Sequence, residues 1–229
     1  MYNQMVIKST ADVGNDGIKC LIYGRSGVGK TPLLGTAPNP IILSGERGLL
    51  SLKRINPPIP YIEFTTYSEL MRGLDWCFGP SGNQFYTVCI DSMTELMDVC
   101  LKEEGKKGTQ HGKHFGETAN KGVDLVRAIQ NISGRCVVVI AKEEYDKDGQ
   151  GGMIYQPAMP GNKLGQAIPY FFDETFRMIV HRDNVTGQES RWLRTRLSAS
   201  EAARDRSGML AEYEPPNLTH VFKKILGIH

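Results

Sequence analysis

Gly24-Arg25-Ser26-Gly27-Val28-Gly29-Lys30-Thr31 constrains this chain more than any other stretch. It fits G-x-x-x-x-G-K-[ST], the phosphate-binding P-loop. Glycines let the backbone turn so that its N–H groups point into one concavity, which beside a helix N-terminus suits the phosphates of a nucleotide. In this pattern Lys30 reaches the β- and γ-phosphates and the Thr31 hydroxyl ligates Mg²⁺. An ordinary glycine-rich turn can match the pattern too, so context decides. Ile18–Tyr23 alternates and is rich in strand formers, and it reads as a strand feeding the loop. A helix is expected from Lys30. Pro32 falls in its first turn, where no intrahelical donor is lost. The candidate nucleotide-binding residues are therefore Gly24, Arg25, Ser26, Gly27, Val28, Gly29, Lys30, Thr31 and Pro32.

A length of 229 residues suits one α/β domain over residues 1–229, with 1–15 as a polar lead-in. No apolar run approaches the ~20 residues of a membrane span, and Met1–Met5 does not open a signal peptide. Cys20, Cys77, Cys89, Cys100 and Cys136 form no C-x-x-C and mostly sit in apolar segments, as expected of buried thiols in a reducing cytoplasm. The net charge of +2 announces no global field for nucleic acid, so any such binding must come from local patches.

Pro38-Asn39-Pro40 breaks the chain after the P-loop helix. Ile41–Leu43 reads as a short buried strand, Leu49–Arg54 as helical, Tyr61–Phe64 as a strand and Ser68–Phe78 as a helix. Tyr86–Asp91 is a strand ending in an acid. Ser92-Met93-Thr94-Glu95 matches a capping box, which predicts a helix from there. Gly105–Gly116 reads as a mobile segment and Glu117–Ile132 as a helix. Cys136–Ala141 is the continuous apolar strand expected when both faces are covered. Tyr145–Gly165 reads as a long connection. Glu174–His181 and Arg191–Leu197 read as late strands, and Leu218–Leu226 as an amphipathic helix. The alternation of strands and helices up to about residue 142 predicts a mainly parallel sheet flanked by helices.

Four acids follow strands at the edge where ligands collect. Asp91 ends its strand beside the P-loop strand and would orient water on the Mg²⁺ held by Thr31; it would serve equally as a helix cap. Glu46 follows the next strand after the P-loop helix. It could polarise the water attacking the γ-phosphate, or simply favour the dipole of a following helix. Glu95 and Glu143 compete for the same role. Asp205-Arg206 is a weaker candidate for the nucleotide's surroundings.

Together, 24–31, Ile41–Glu46, Ile90-Asp91-Ser92 and Val139–Glu143 follow the order of the RecA superfamily ATPase core, which the chain resembles over most of residues 16–227. Phe172-Asp173-Glu174, the arginine-rich late strand and Glu214–Leu218 are also similar. The small size resembles phage-encoded, core-only RecA-like proteins of the single-strand annealing (Sak) type, often described simply as AAA or phage nucleotide-binding proteins. The resemblance implies a P-loop NTPase fold, ATP and Mg²⁺ as cofactors, and Glu46 as catalytic base with Lys30 on the phosphates. It also implies a homo-oligomeric ring or filament in a bacterial cytoplasm, acting on single-stranded DNA beside a possible single-strand-binding partner. Pro32 and the absence of the family's glutamine after the Val139–Ala141 strand, where Lys142-Glu143 stands, depart from the pattern.

In that family a Lys-x-Lys pair on a late strand reaches the neighbour's γ-phosphate. Arg194 and Arg196 alternate onto one strand side and could act likewise, or form a solvated face. Segments 102–121 and 145–163 stand where the family's DNA-binding loops do. Their Lys106, Lys107, Lys113, Tyr155 and Lys163 suit phosphates on lysines and bases on rings, though plain surface loops look the same. His111 and His114 lack the acid or cysteine that would complete a metal site. The expected function is Mg²⁺-dependent ATP hydrolysis coupled to single-stranded DNA. Its alternative is a nucleotide-gated oligomeric assembly or regulatory module with a protein partner. A nucleotide kinase is a weaker third option, since no arginine-rich lid or second substrate pocket stands out.

Overall fold

The computed structural model describes residue 9 and residues 17–46, 48–106, 113–147, 151–160 and 162–228, with the side chains of Asn162 and Lys163 excluded. The 1–15 lead-in apart from Ser9, Lys107 and His111 lie outside the described residues. In chain order the elements are β1 (Lys19–Gly24), α1 (Lys30–Leu34), β2 (Pro40–Ser44), β3 (Tyr61–Glu63), α2 (Tyr67–Phe78), β4 (Thr87–Asp91), α3 (Met93–Lys106), α4 (Lys113–Gln130), β5 (Cys136–Lys147), β6 (Met153–Pro157), α5 (Asn162–Ala167), β7 (Glu174–Arg182), β8 (Glu189–Arg194), β9 (Arg204–Asp205), β10 (Tyr213–Glu214) and α6 (Leu218–Leu226).

The sheet runs β10-β8-β7-β1-β5-β4-β2-β3, with β6 on β5 and β9 on β7. Strands β1 to β5 and β7 are mutually parallel, and the later additions are antiparallel. This is the predicted α/β class: a mainly parallel central sheet flanked by helices. In β1 the side chains alternate between two cores. Leu21 and Tyr23 join the core under α2, α3 and α4, while Cys20 and Ile22 join the one under α1 and α6. Val137–Ile140 of β5 are buried, as both-face coverage requires. All five cysteines are free and buried. No helix among the described residues is long and apolar enough to cross a membrane.

The carboxyl edge is fixed by register. Gly24 pairs with Lys142, and Ser44 pairs with Asp91. The P-loop turn, the residues after β2, the end of β4 and the middle of β5 therefore open on one edge, where ligands of parallel sheets collect.

Three segments differ from expectation. Residues 145–163 are mostly not a loose connection, because β5 continues past the sheet and pairs Glu143–Lys147 with Met153–Pro157 as a β-hairpin. The described part of 102–121 is helical, in α3 and α4, and only 107–112 between them is undescribed. The helix expected at Glu117–Ile132 starts earlier, at Lys113, and buries Thr118, Gly122, Leu125, Val126 and Ile129 on one stripe. Lastly, Leu49–Leu52 is a single 3₁₀ turn rather than a helix through Arg54.

Glu174 opens β7 and is 1% exposed, with Oε2 lacking a hydrogen-bond partner. Burial, and then the charge of Asp205, push its carboxyl from an ordinary 4.5 to about 8. A carboxyl raised on folding contributes fully below its unfolded value and loses that contribution as pH climbs through its folded one. Glu174→Gln mimics the protonated form. Its stability should gain on wild type between pH 5 and pH 8 by about 3 kcal/mol, which is roughly 6–12 °C in melting temperature. Scanning calorimetry at both pH values checks this, and an equal difference at the two would show that Glu174 is already satisfied as a carboxylate.

Candidate nucleotide site

The P-loop turn requires its glycines. Gly29, just before α1, has φ +108°, a left-handed conformation costly for other residues. A Cβ on Gly24 would lie 2.6 Å from the Met178 carbonyl oxygen of β7, so the strands pack closely only without one. Arg191 of β8 donates from Nε to the Val28 carbonyl at 2.9 Å and ties the loop to the sheet. Reading the sequence missed this residue, since only cross-strand register brings β8 beside the loop.

α1 is five residues long and ends at Gly35. It sets Thr31 against β4, and the Thr31 hydroxyl donates to Asp91 Oδ2 at 2.8 Å. Asp91 is 2% exposed. Burial pushes its carboxyl up to about 6, with the Thr31 hydrogen bond opposing and Glu46 reinforcing. Lys30 Nζ folds back onto its own loop and donates to the Gly24 and Arg25 carbonyls at 2.6 and 2.9 Å. Its ammonium is lowered by burial, with Glu46 and Asp91 pulling the other way.

Glu46 lies two residues past β2. The Gly45 N–H donates to the Asp91 carbonyl at 2.7 Å, and the Ser44 hydroxyl donates to the Glu46 carbonyl at 2.6 Å, so the turn is held against β4. The Glu46 carboxylate accepts from the Ser92 hydroxyl at 2.9 Å. Lys30, Thr31, Glu46, Asp91, Ser92 and Lys142 line one cavity of about 300 Å³ with the loop glycines.

The other acids are engaged elsewhere. Glu143 faces Arg177 at 3.0 Å and Arg25 at 3.7 Å, and Glu95 pairs with Lys142 at 3.3 Å. Half of the predicted capping box forms, because the Glu95 N–H reaches the Ser92 hydroxyl at 3.4 Å. Asp205 caps the backbone N–H groups of Gly208 and Leu210, and Arg206 pairs with Asp173; neither lines the cavity.

The late arginines separate. β8 ends at Arg194, so strand alternation does not extend to Arg196. Arg194 is 8% exposed and pairs with Glu201 at 2.7 Å and Glu212 at 3.0 Å, with Tyr213 beside it. Arg196 is exposed. Tyr155 is not an open platform either: Arg177 lies 3.6 Å over its ring, and the Tyr145 ring lies 4.5 Å away. Tyr145 itself is 53% exposed. Lys106 and Lys113 are exposed at the facing ends of α3 and α4. The side chain of Lys163 lies outside the described residues. No group of three or more His, Cys, Asp or Glu suited to a metal ion occurs among the described residues.

A family model described as an AAA domain matches residues 16–207. Among solved structures the chain is similar to the RadB recombinase, with 16% identity, 79% of this chain and 89% of that chain covered, and a TM-score of 0.47. It is also similar to a KaiC-like protein from Pyrococcus horikoshii OT3, with 10% identity, 78% of each chain covered and a TM-score of 0.48. No curated protein sequence matches the chain.

Proposed function

The chain belongs to the AAA-domain family of P-loop ATPases, and on that premise we propose that it binds ATP with Mg²⁺ in the 300 Å³ cavity and hydrolyses it there. The observation that carries this reading is the convergence of Lys30, the Thr31–Asp91 pair and Glu46 on one edge of the sheet. Thr31 Oγ1 and Asp91 Oδ2 lie 2.8 Å apart at the cavity, and hard oxygens of this kind fit Mg²⁺. Bound by them, the ion would neutralise charge on the β- and γ-phosphates.

Lys30 leaves the carbonyls of Gly24 and Arg25 for the phosphates, and the loop N–H groups cradle them. Glu46 accepts a proton from water as the water oxygen bonds to the γ-phosphorus. The bond from that phosphorus to the β–γ bridging oxygen breaks, and ADP leaves. In a homo-oligomer, the cation offered to the neighbouring site is Arg196; Arg194 is held in its ion pairs.

The partner proposed for this ATPase is single-stranded DNA, in phage recombination or strand annealing. Lys106 and Lys113, with Lys107 between them and Lys163, would neutralise phosphates. Base stacking falls to exposed Tyr145 on the hairpin, since Tyr155 is covered. Fluorescence anisotropy with a labelled oligonucleotide should show ATP-promoted binding that weakens with salt, with a log–log slope of about −0.7 per phosphate contact. Replacing Lys106, Lys107 and Lys113 together with alanine should flatten that slope while basal ATP turnover persists.

A second reading, the nucleotide-gated assembly module, is favoured by Tyr170 and Leu197, 74% and 70% exposed beside a groove of about 1120 Å³. Absence of salt-dependent oligonucleotide binding, with ATP-dependent assembly present, would select it.

A further inference from the structure

We propose that the groove of about 1120 Å³ beside the β5–β6 hairpin binds an acidic peptide segment of a partner protein, with the segment's apolar side chains seated in it. The groove and the nucleotide cavity share no lining residue among the described residues. The proposal names a partner class for the assembly reading, but it needs no nucleotide gating and stands apart from ATP hydrolysis.

Separate stretches of chain build the groove: β6, the end of α5 with the turn after it, the start of β7, and the segment running from the end of β8 through β9. Hydrogen bonds join these walls before any partner arrives. The Tyr155 N–H donates to the Ser200 carbonyl at 2.8 Å, and the Ala202 N–H donates to the Tyr155 carbonyl at 2.9 Å. The buried Tyr23 hydroxyl lies 2.9 Å from the Tyr155 carbonyl and 2.6 Å from the Ala202 carbonyl, so β1 anchors both. A Cβ on Gly165 would lie 2.8 Å from the Pro157 carbonyl oxygen, and glycine there lets α5 close against β6. Walls fixed in advance lower the ordering cost of binding.

Charge and shape choose the occupant. Nearby Arg177, Arg194 and Arg206 are each paired with a carboxylate. Arg196 and Arg204 line the groove, and neither guanidinium forms an ion pair among the described residues. Asp205 lines the groove too, but it accepts from the Gly208 and Leu210 N–H groups and from the Ser207 hydroxyl. The groove is therefore short of anions, and carboxylates match the guanidinium fork. The rest of the lining is largely apolar. Ala202 and Ala203 leave room, while Tyr170 and Leu197 are 74% and 70% exposed. The side-chain amides of Gln156 and Gln166 lie in the same lining, as does Thr175, whose buried hydroxyl has no hydrogen-bond partner. Such groups suit the polar backbone of an extended peptide. The volume exceeds the ~300–1,000 Å³ usual for small-molecule sites. A nucleic acid would be served better by more cations and open rings than by this aliphatic lining.

The test selects binders to the immobilised full chain from a displayed library of random short peptides, then measures them by fluorescence anisotropy. Wild type should enrich peptides that combine acidic with bulky apolar residues. Arg204→Glu should weaken a selected peptide about tenfold or more, because it replaces a charge-assisted contact by repulsion. Exchanging that peptide's acidic residues for lysine should recover binding to Arg204→Glu. Ala199 is an exposed lining residue, so Ala199→Trp should fill the groove without disturbing the core and weaken the peptide about as much. Both variants should turn ATP over as wild type does, since neither residue lines the nucleotide cavity. Absence of turnover in wild type would strike the ATP reading and leave this one standing. Failure to enrich acidic peptides, or undiminished peptide binding by both variants, would overturn the proposal. Loss of oligonucleotide binding in Arg204→Glu, with no peptide selected by wild type, would also overturn it and assign the groove to single-stranded nucleic acid.

Discussion

Glu46→Gln should still bind ATP and Mg²⁺ but turn ATP over roughly 10²-fold or more slowly, as expected when a general base is removed. The substitution keeps the shape and removes the basic oxygen. The Ser44 and Gly45 hydrogen bonds that hold the turn run to backbone atoms or to Asp91, so they survive it. Steady-state phosphate release gives the rate, and calorimetry with a non-hydrolysable analogue gives the affinity. Glu95→Gln and Glu143→Gln belong in the same series. Neither Glu143 nor Glu95 lines the cavity, so neither loss removes a base from it. Normal turnover by Glu46→Gln together with an inactive Glu95→Gln or Glu143→Gln would move the base to the inactive position.

Lys30→Ala should lose most nucleotide affinity, by about 10²-fold or more, since it removes a charge-assisted contact to phosphate. The fold should survive. Among the described residues Lys30 donates only to carbonyls of its own loop, at Gly24 and Arg25, and the loop is independently held by Arg191 on the Val28 carbonyl. Far-ultraviolet circular dichroism and calorimetric titration of ATP check the two halves. Undiminished ATP binding in a folded variant would remove Lys30 from the site.

The central part of the fold was legible because its signals are local. Val137–Ile140 reads as a strand covered on both faces, and the glycines of 24–29 read as a phosphate cradle, without reference to any distant residue. Glu46 and Asp91 could be placed because each follows a strand that parallel pairing brings to the same edge.

What escaped depends on pairings between distant residues. Tyr155 looked like a stacking platform in a loose segment, yet it sits in a hairpin strand under Arg177, which comes from β7. Arg194 looked like a free cation, yet Glu201 and Glu212 arrive from later turns to bury it. Arg191 carries no local motif, and its position follows from the antiparallel β7–β8 pair. The helices expected from Ser92 and over Glu117–Ile132 are present; lysines and glycines obscured only how far they reach into 105–116. Lys121 of the second is held by a 2.7 Å pair with buried Glu104.

The most direct measurement of the central claim is phosphate release from ATP by the purified chain, followed with Mg²⁺ present and again after chelation. Wild type should release phosphate continuously with Mg²⁺ and stop on chelation, and Lys30→Ala and Glu46→Gln should each be near background under both conditions. No Mg²⁺-dependent release by wild type, or equal release by wild type and both variants, would contradict ATP hydrolysis in this cavity.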